Sequence, residues 1–315
     1  MAARISVVVP NLNGVALLGP CLAAVTTQTV EDVETIVVDN SSRDGSVAFV
    51  RERFPHVRVL ELTENRGFSG AMNVGIAAAE APLVAFLNND AEPAPTWLEE
   101  LERCMQRHPR AAAAASKLLR ADDPGTLDGA GDGLTRTFRP IARGHGQPDD
   151  GNFDHEVEVF GASGTASLWR GDVLHELGGF DERFFAYYED VDLSFRARLA
   201  GWECWYAPRS VSNHRRGATA GGDLRFTLFL PARNRWFLLL KNAPASLLLR
   251  HPVGLVTEDA FWLLRALRAR SPRTLLRAYG EVIREMPPLL RERRRLQRSR
   301  AVSPSALNRL LSRSG

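Results

Sequence analysis

"PLVAFLNNDAEP", residues 82–93, decides how this chain is read. An apolar run, Leu83 to Leu87, stops on Asn88-Asn89-Asp90, with Pro93 and Pro95 close behind. A run so short and so apolar predicts a buried strand. Two amides and a carboxylate then stand at its carboxyl end. Upstream the pattern recurs: "RISVVVP" (4–10), "VETIVVD" (33–39) and "VRVLEL" (57–62) have strand character, and amphipathic segments of helical length lie at 15–28, 44–54 and 68–80. Strands alternating with helices predict βαβ units, hence an α/β fold whose sheet carries helices on both faces. Ligands bind beyond the carboxyl ends of the strands in such sheets.

Each of those ends is polar. The strands finish in Pro10-Asn11-Leu12-Asn13-Gly14, in Asp39-Asn40-Ser41-Ser42, in Glu64-Asn65-Arg66-Gly67-Phe68 and in Asn88-Asn89-Asp90. One such cluster is ordinary turn and capping chemistry. Four on one rim predict a polar ligand site. Asp90, a carboxylate beside carboxamides, is a hard oxygen ligand suited to Mg2+ or Mn2+ rather than zinc; otherwise it is a turn former. Asp39 either accepts from the imide N–H of uracil or thymine or closes an Asx-turn. Gly67 and Gly70 precede a helix, where backbone can approach a phosphate or ribose, and Asn73 is expected on its first turn facing the site. Glu189-Asp190 follows the aromatic "RFFAYY". The pair is either a general base or two ordinary helix N-terminal acids. His214 stands alone in a polar stretch, as a structural histidine or a Mn2+ ligand.

The rest of the chain is less explicit. Residues 120–156, rich in Gly, Asp and Pro, predict a mobile loop or an excursion between sheet halves. "VEVFGASGTASLWR" (157–170) predicts a strand with small residues where something approaches the backbone. "GDVLHELGGF" and "EDVDLSFRARLAG" predict helices, "WECWYAP" a strand, and "SVSNHRRGATAGG" (210–222) a polar loop. From about residue 223 the pattern is helical. The chain has 315 residues, 44% of them hydrophobic and 24% charged, a globular composition. Cys21, Cys104 and Cys204 are scattered, which argues against disulfides or a zinc site and fits a reducing cytosol. The start "MAARISVVVP" does not resemble a signal peptide, and no apolar run is long enough to span a membrane. From Lys241 onward sixteen Lys+Arg face five Asp+Glu, a balance of +11; the whole chain carries +3, so the first 240 residues carry −8. The basic tail pairs arginines with apolar and aromatic positions, as helices lying in a bilayer interface do. A nucleic-acid partner is not expected, because the acidic body would repel a polyanion and no stacking platform is visible.

Over residues 4–216, "VVVPNLNG", "IVVDNSSRDGS", "NRGFSGAMNVGI", "VAFLNNDAEP", "GGFDERFFAYYEDVDLSFRARLAGWECWYAP" and the later His214 come in order. Together they resemble a family 2 glycosyltransferase of the rhamnosyltransferase-like group. The resemblance implies a GT-A fold: Rossmann-like, with a mostly parallel central sheet flanked by helices, here with a C-terminal helical extension. It implies a GT-A domain over 1–222, with a nucleotide-binding half (1–110) and an acceptor and catalytic half (111–222), followed by a basic amphipathic tail over 223–315. It also implies an inverting transfer of one sugar, rhamnose as a guess, from a nucleotide-diphosphate donor to a glycan or polyprenyl-linked acceptor in envelope polysaccharide synthesis. The enzyme would be cytoplasmic, peripheral on the inner face of the plasma membrane and in contact with its anionic surface. By motif, Asp90 and His214 would hold Mg2+ or Mn2+, and Asn88-Asn89-Asp90 would stand in for the family's D-x-D. Pro10, Asn11, Asn13, Asp39, Ser41, Asn65, Gly67, Asn73 and Asn89 would bind the nucleotide sugar. Asp190, with Glu189 beside it, would be the base. Asn88 departs from the aspartate common at that position and weakens the metal grip. A UDP-hexose or galactofuranosyl transferase and a non-catalytic sugar- or lipid-binding protein are the alternatives. "ARNRW" (232–236) departs from the "QxxRW" of processive synthases at Ala232, which favours single-sugar addition.

Overall fold

The computed structural model describes residues 3–215 and 223–312. The first half is the expected alternation: β1 (Ile5–Asn11), α1 (Val15–Thr26), β2 (Val33–Asp39), α2 (Ser46–Arg53), β3 (Arg58–Glu61), α3 (Gly67–Ala78) and β4 (Leu83–Leu87). Then come β5 (Ala91–Pro93), α4 (Trp97–Arg107), β6 (Ala111–Arg120), β7 (Asp123–Ala130), β8 (Asp132–Thr135), β9 (Pro140–Ala142), β10 (Val157–Glu158), β11 (Ala166–Arg170), α5 (Gly171–Leu177), α6 (Glu189–Leu199) and β12 (Glu203–His214). The C-terminal part holds α7 (Leu230–Asn242), α8 (Ala245–Arg250), α9 (Pro252–Arg268), α10 (Pro272–Arg298), α11 (Pro304–Leu310) and β13 (Leu311–Ser312).

The main sheet runs β10-β12-β6-β11-β4-β1-β2-β3, with β5 and β7 added on β12 and β6. Strands β3, β2, β1, β4, β6 and β12 point one way; β11 and β10 oppose them. Both faces are buried at the centre of the sheet, so β1 and β4 run apolar on consecutive positions, from Val7 to Val9 and from Leu83 to Leu87. Val7 and Val9 face the core under α1 and α4, whereas Val8 faces the core under α3 and α6. From β1 the chain moves outward through β2 and β3, then returns by α3 to lay β4 on the other side of β1. The carboxyl ends of β1 and β4 therefore flank the point where the winding reverses, where such sheets open a crevice.

Two expectations change. Of residues 120–156, read as a loop or an excursion between sheet halves, 123–142 are largely strand: β7 pairs antiparallel with β6, and β8 and β9 form a hairpin whose other edge takes β13. Glycine admits this packing, since a side chain on Gly131 (φ 82°) would collide with Val159. The expected polar loop 210–222 is strand as far as His214, and its residues 216–222 lie outside the described part.

The helical extension is present and shares a core with the body. Phe237, Leu238 and Leu239 of α7 pack with Phe184, Val191, Phe195 and Leu199, and Val282 and Leu289 of α10 join them. A buried ion cluster fastens α7 to α6: Lys241 Nζ lies 2.6 Å from Asp181 and 3.0 Å from Asp192, and Asn242 donates to Asp192. Among the described residues no helix is long and apolar enough to cross a membrane.

Candidate active site

The rim begins as a hydrogen-bonded chain across three strand ends. Asn11 and Asp39 are register partners on β1 and β2, and Asn11 Nδ2 donates to Asp39 Oδ1 at 3.1 Å. Asn89, just past β4, donates to Asn11 Oδ1 at 2.7 Å. All three side chains are buried. Gly14 allows this approach, because a Cβ there would strike both Asn89 and Asn11. The neighbouring loops are laced together. Asn13 (φ 50°) accepts from the Arg43 amide at 2.7 Å, and Ser42 Oγ accepts from Asn11 and from the Asn13 amide. The lacing hydroxyl is that of Ser42; its neighbour Ser41, expected to bind the nucleotide sugar, has a φ of 71°. Asp39 also closes a turn by accepting from the Ser42 amide, so its turn role is real. Pro10 lies opposite Val38 in the β1–β2 register.

Three residues expected near ribose and diphosphate have structural partners. Asn65 accepts from Asn40 and from the Gly67 amide. Gly67 (φ 71°) is approached not by open space but by the Phe185 carbonyl and ring. Asn73 lies on the second turn of α3, not the first, and clamps Phe180: its Oδ1 accepts from the Phe180 amide and its Nδ2 donates to the Phe180 carbonyl.

On the metal side, β5 pairs with the end of β12, with His214 opposite Ala91. That register sets His214 beside Asp90, Nε2 to Oδ1 3.4 Å. His214 is therefore neither in a loop nor alone. Its Nδ1 lies 2.6 Å from Asp128 on β7, a residue the sequence did not single out. Burial works against the imidazolium, but Asp128 and Asp90 outweigh it and raise the His214 pKa to about 9. The Asp90 side chain is 8% exposed, and its Oδ1 and the Asn88 Oδ1 are buried without hydrogen bonds. Buried oxygens without hydrogen bonds suit a hard divalent cation, which would gain His214 as a ligand by displacing its ring proton, so the residues fit the ion that the sequence implied.

The acid pair opens α6 from a strained turn. Phe185, Tyr187 and Tyr188 all have positive φ (65°, 66° and 71°). Phe185 (ψ −62°) is the centre of a γ-turn closed by the Ala186 amide on the Phe184 carbonyl. Strain of this kind persists only where neighbours over-determine it. From one side the Ser69 amide donates to the Phe185 carbonyl. From the other, buried Asn234 of α7 points its Nδ2 at the carbonyls of Phe184, Ala186 and Tyr187 (2.9, 2.9 and 2.7 Å), and Arg233 donates to those of Arg183 and Phe184. Arg235 and Trp236 turn away toward Asp259 on α9. Glu189 is buried, and burial together with the adjacent Asp190 pushes its pKa well above the ordinary range. Burial also raises Asp190, opposed by hydrogen bonds from the Gly164 and Val191 amides at 3.2 and 2.8 Å.

One segment joins the two sides. Gly164 donates to Asp190, while the next residue, Thr165, accepts from the Asn88 amide at 2.8 Å. The small residues of "GASGT" are therefore occupied: a Cβ on Gly164 would meet Phe68, and one on Gly161 would meet Ser194. A cleft of about 720 Å3 lies elsewhere, between the β8–β9 hairpin and Glu158–Phe160. Its lining includes His145, which lies 3.3 Å from Asp128 on the metal side. Cys104, His108 and Glu156 also converge, but Arg107 pairs with Glu156 and His108 stacks on Trp205.

The family model for glycosyl transferase family 2 matches residues 6–169. The chain is 31% identical over 229 residues to the N-acetylglucosaminyl-diphospho-decaprenol L-rhamnosyltransferase of Mycobacterium tuberculosis, covering 64% of this chain and 73% of that one. Its fold is that of solved GT-A enzymes. The mannosyltransferase PcManGT of Pyrobaculum calidifontis, in complex with GDP-Man and Mn2+, superposes with a TM-score of 0.55 at 20% identity over 94% of this chain and 85% of that one. GalNAc-T7 with UDP, GalNAc and Mn2+ gives 0.62 at 15% identity over 76% of this chain, which spans 48% of that structure.

Proposed function

The chain belongs to glycosyl transferase family 2, and on that premise we propose that it moves a single rhamnose-like sugar, with inversion, from a nucleotide-diphosphate donor to a lipid-linked glycan acceptor at the inner face of the plasma membrane. The observation that carries the reading is the Gly164–Thr165 segment, tied to Asp190 on one side and to the Asn88-Asn89-Asp90 end of β4 on the other. A donor held on the Asp39–Asn11–Asn89 chain would present its diphosphate at Asp90 and its sugar toward Asp190. Asp90 and His214 would hold Mg2+ or Mn2+, whose charge would offset that of the leaving nucleoside diphosphate.

Asp190 accepts the proton of the acceptor hydroxyl as the oxygen attacks the anomeric carbon opposite the leaving group. Its burial suits that task, since a raised pKa makes a carboxylate a better base. Glu189, buried against it, carries the proton of the pair and keeps two negative charges from facing each other. The Phe184–Tyr188 turn fixes where the pair points. The decaprenol-linked substrate named for the mycobacterial relative favours a polyprenyl-linked acceptor here. The orientation of Arg235 and Trp236 toward α9 supports addition of one sugar rather than processive synthesis. The test is nucleoside diphosphate release from a panel of nucleotide sugars, with a short-chain prenyl-diphospho-sugar acceptor and Mn2+. Acceptor-dependent release from one donor class is expected. Release without product, or from none of them, would refute the reading.

A further inference from the structure

Among the described residues eleven large apolar side chains are exposed, and nine of them fall between Leu249 and Ile283. They are not scattered there. Helix α9 buries Glu258, Trp262 and Ala266. At 100° per residue, Val253, Val256, Ala260, Leu263, Leu264 and Leu267 form one stripe on the opposite side. On α10, exposed Leu276 and Ile283 share a row seven residues apart. An apolar stripe of this length in water calls for a partner.

Charge selects the partner. Residues 249–284 contain three carboxylates, and none faces solvent alone: Glu258 is buried, Asp259 pairs with Arg235 at 2.9 Å and Glu281 with Arg233 at 2.8 Å. The arginines of the same stretch do the reverse. Arg268, Arg270, Arg273 and Arg277 are exposed and have no ion pair among the described residues. A second copy docked across a two-fold axis would set these arginines against each other. An anionic lipid surface would accept both the stripe and the charge.

We propose that the α9 stripe and its flanking arginines are the surface by which this chain lies on an anionic bilayer. The inference rests on the reading above for its purpose, which is to bring a lipid-linked acceptor to Asp190. The buried side of the same helices leads there. Trp262 and Ala266 of α9, with Leu275 and Ala278 of α10, pack on Leu228 and Phe229 of the π-helical turn Arg225–Phe229. That turn lays the Arg225 guanidinium over the Phe185 ring at 4.4 Å, on the strained segment preceding the acid pair. π-helical turns are frequent at functional sites.

The test is flotation of the whole chain with vesicles of phosphatidylcholine alone or mixed with phosphatidylglycerol, at low and high salt. The chain should float only with anionic vesicles and should be released by salt. Leu263→Glu with Leu267→Glu should abolish flotation without lowering the melting temperature. Charge reversal at Arg268 or Arg273 should weaken it at least about fivefold for each arginine. All three variants should keep wild-type turnover on a water-soluble short-chain acceptor. Equal binding to neutral vesicles, unaltered flotation of the folded Leu263→Glu/Leu267→Glu variant, or its conversion from dimer to monomer with no lipid binding in the wild type would each overturn the proposal. Flotation without any sugar transfer would instead refute the transferase reading and leave the surface standing.

Discussion

Replacing Asn234 with alanine removes two N–H groups that serve three carbonyls, those of Phe184, Ala186 and Tyr187. The Phe184 carbonyl keeps Arg233 and the Ala186 amide, so the cost falls on the other two, at about 1–3 kcal/mol each, on the order of 2–6 kcal/mol in all. The positive-φ backbone at Phe185, Tyr187 and Tyr188 stores a comparable amount, roughly 1–3 kcal/mol per residue. Without the clamp the turn is expected to relax. The bonds from Arg233 and the Ser69 amide keep the chain nearby, so the fold should survive with a lower melting temperature. A shift of the acid pair by about 1 Å lowers kcat by about 10²-fold. Donor KM should hold, because Asp39, Asn11 and Asn89 make no bond to this turn. Asn234→Asp is expected to be at least as damaging, since it points an acceptor at acceptors. Steady-state kinetics beside thermal melts decide the matter. Wild-type kcat and melting temperature in Asn234→Ala would show that the turn does not depend on α7.

Asp190→Asn should lower kcat by about 10²-fold or more with donor binding intact, whereas Glu189→Gln, at a carboxyl whose protonated form burial and Asp190 favour, should retain most turnover; the reverse pattern would reassign the base. Because Asp190 must be ionised to act and its pKa is raised, the acid limb of the kcat profile should have its midpoint above the ordinary aspartate value of 3.8 and disappear in Asp190→Asn. Asp90→Ala should abolish transfer at saturating Mn2+ without altering the circular dichroism spectrum, as expected of a strand-end residue outside the core. Lys241→Met leaves Asp181 and Asp192 buried without their shared cation and should cost about 3–5 kcal/mol, read as a fall in melting temperature.

The sheet from Ile5 to Leu87 was legible because both its faces are buried, which writes Val7-Val8-Val9 and Ala85-Phe86-Leu87 as unbroken apolar runs. Residues 123–142 were not. "DPGTLDGA" has little strand propensity of its own, and it is strand because β6 and the β8–β9 hairpin supply partners distant in sequence. The rim residues could be read from their position after strands, since a polar cluster there has few purposes. Their partners could not. Asp128 sits among glycines, and its importance depends on a strand that ends 86 residues later at His214. Asn234 looks like one polar residue in an amphipathic helix; only the carbonyls of a turn 47 to 50 residues earlier reveal its task. The packing at Gly67 was hidden for the same reason, because the group that approaches it is Phe185.

The claim at the centre of the account is that the carboxyl ends of β1, β2 and β4 bind the donor while Asp190, on the far side of the Gly164–Thr165 segment, performs the chemistry. Calorimetric titration of the donor identified in the panel, with Mn2+, into wild type, Asp90→Ala and Asp190→Asn tests it most directly, with transfer measured on the same samples. The expected result is donor binding in wild type, loss of at least about tenfold in affinity in Asp90→Ala, and wild-type affinity with turnover lowered about 10²-fold or more in Asp190→Asn. Wild-type affinity in Asp90→Ala, or wild-type turnover in Asp190→Asn, would contradict it.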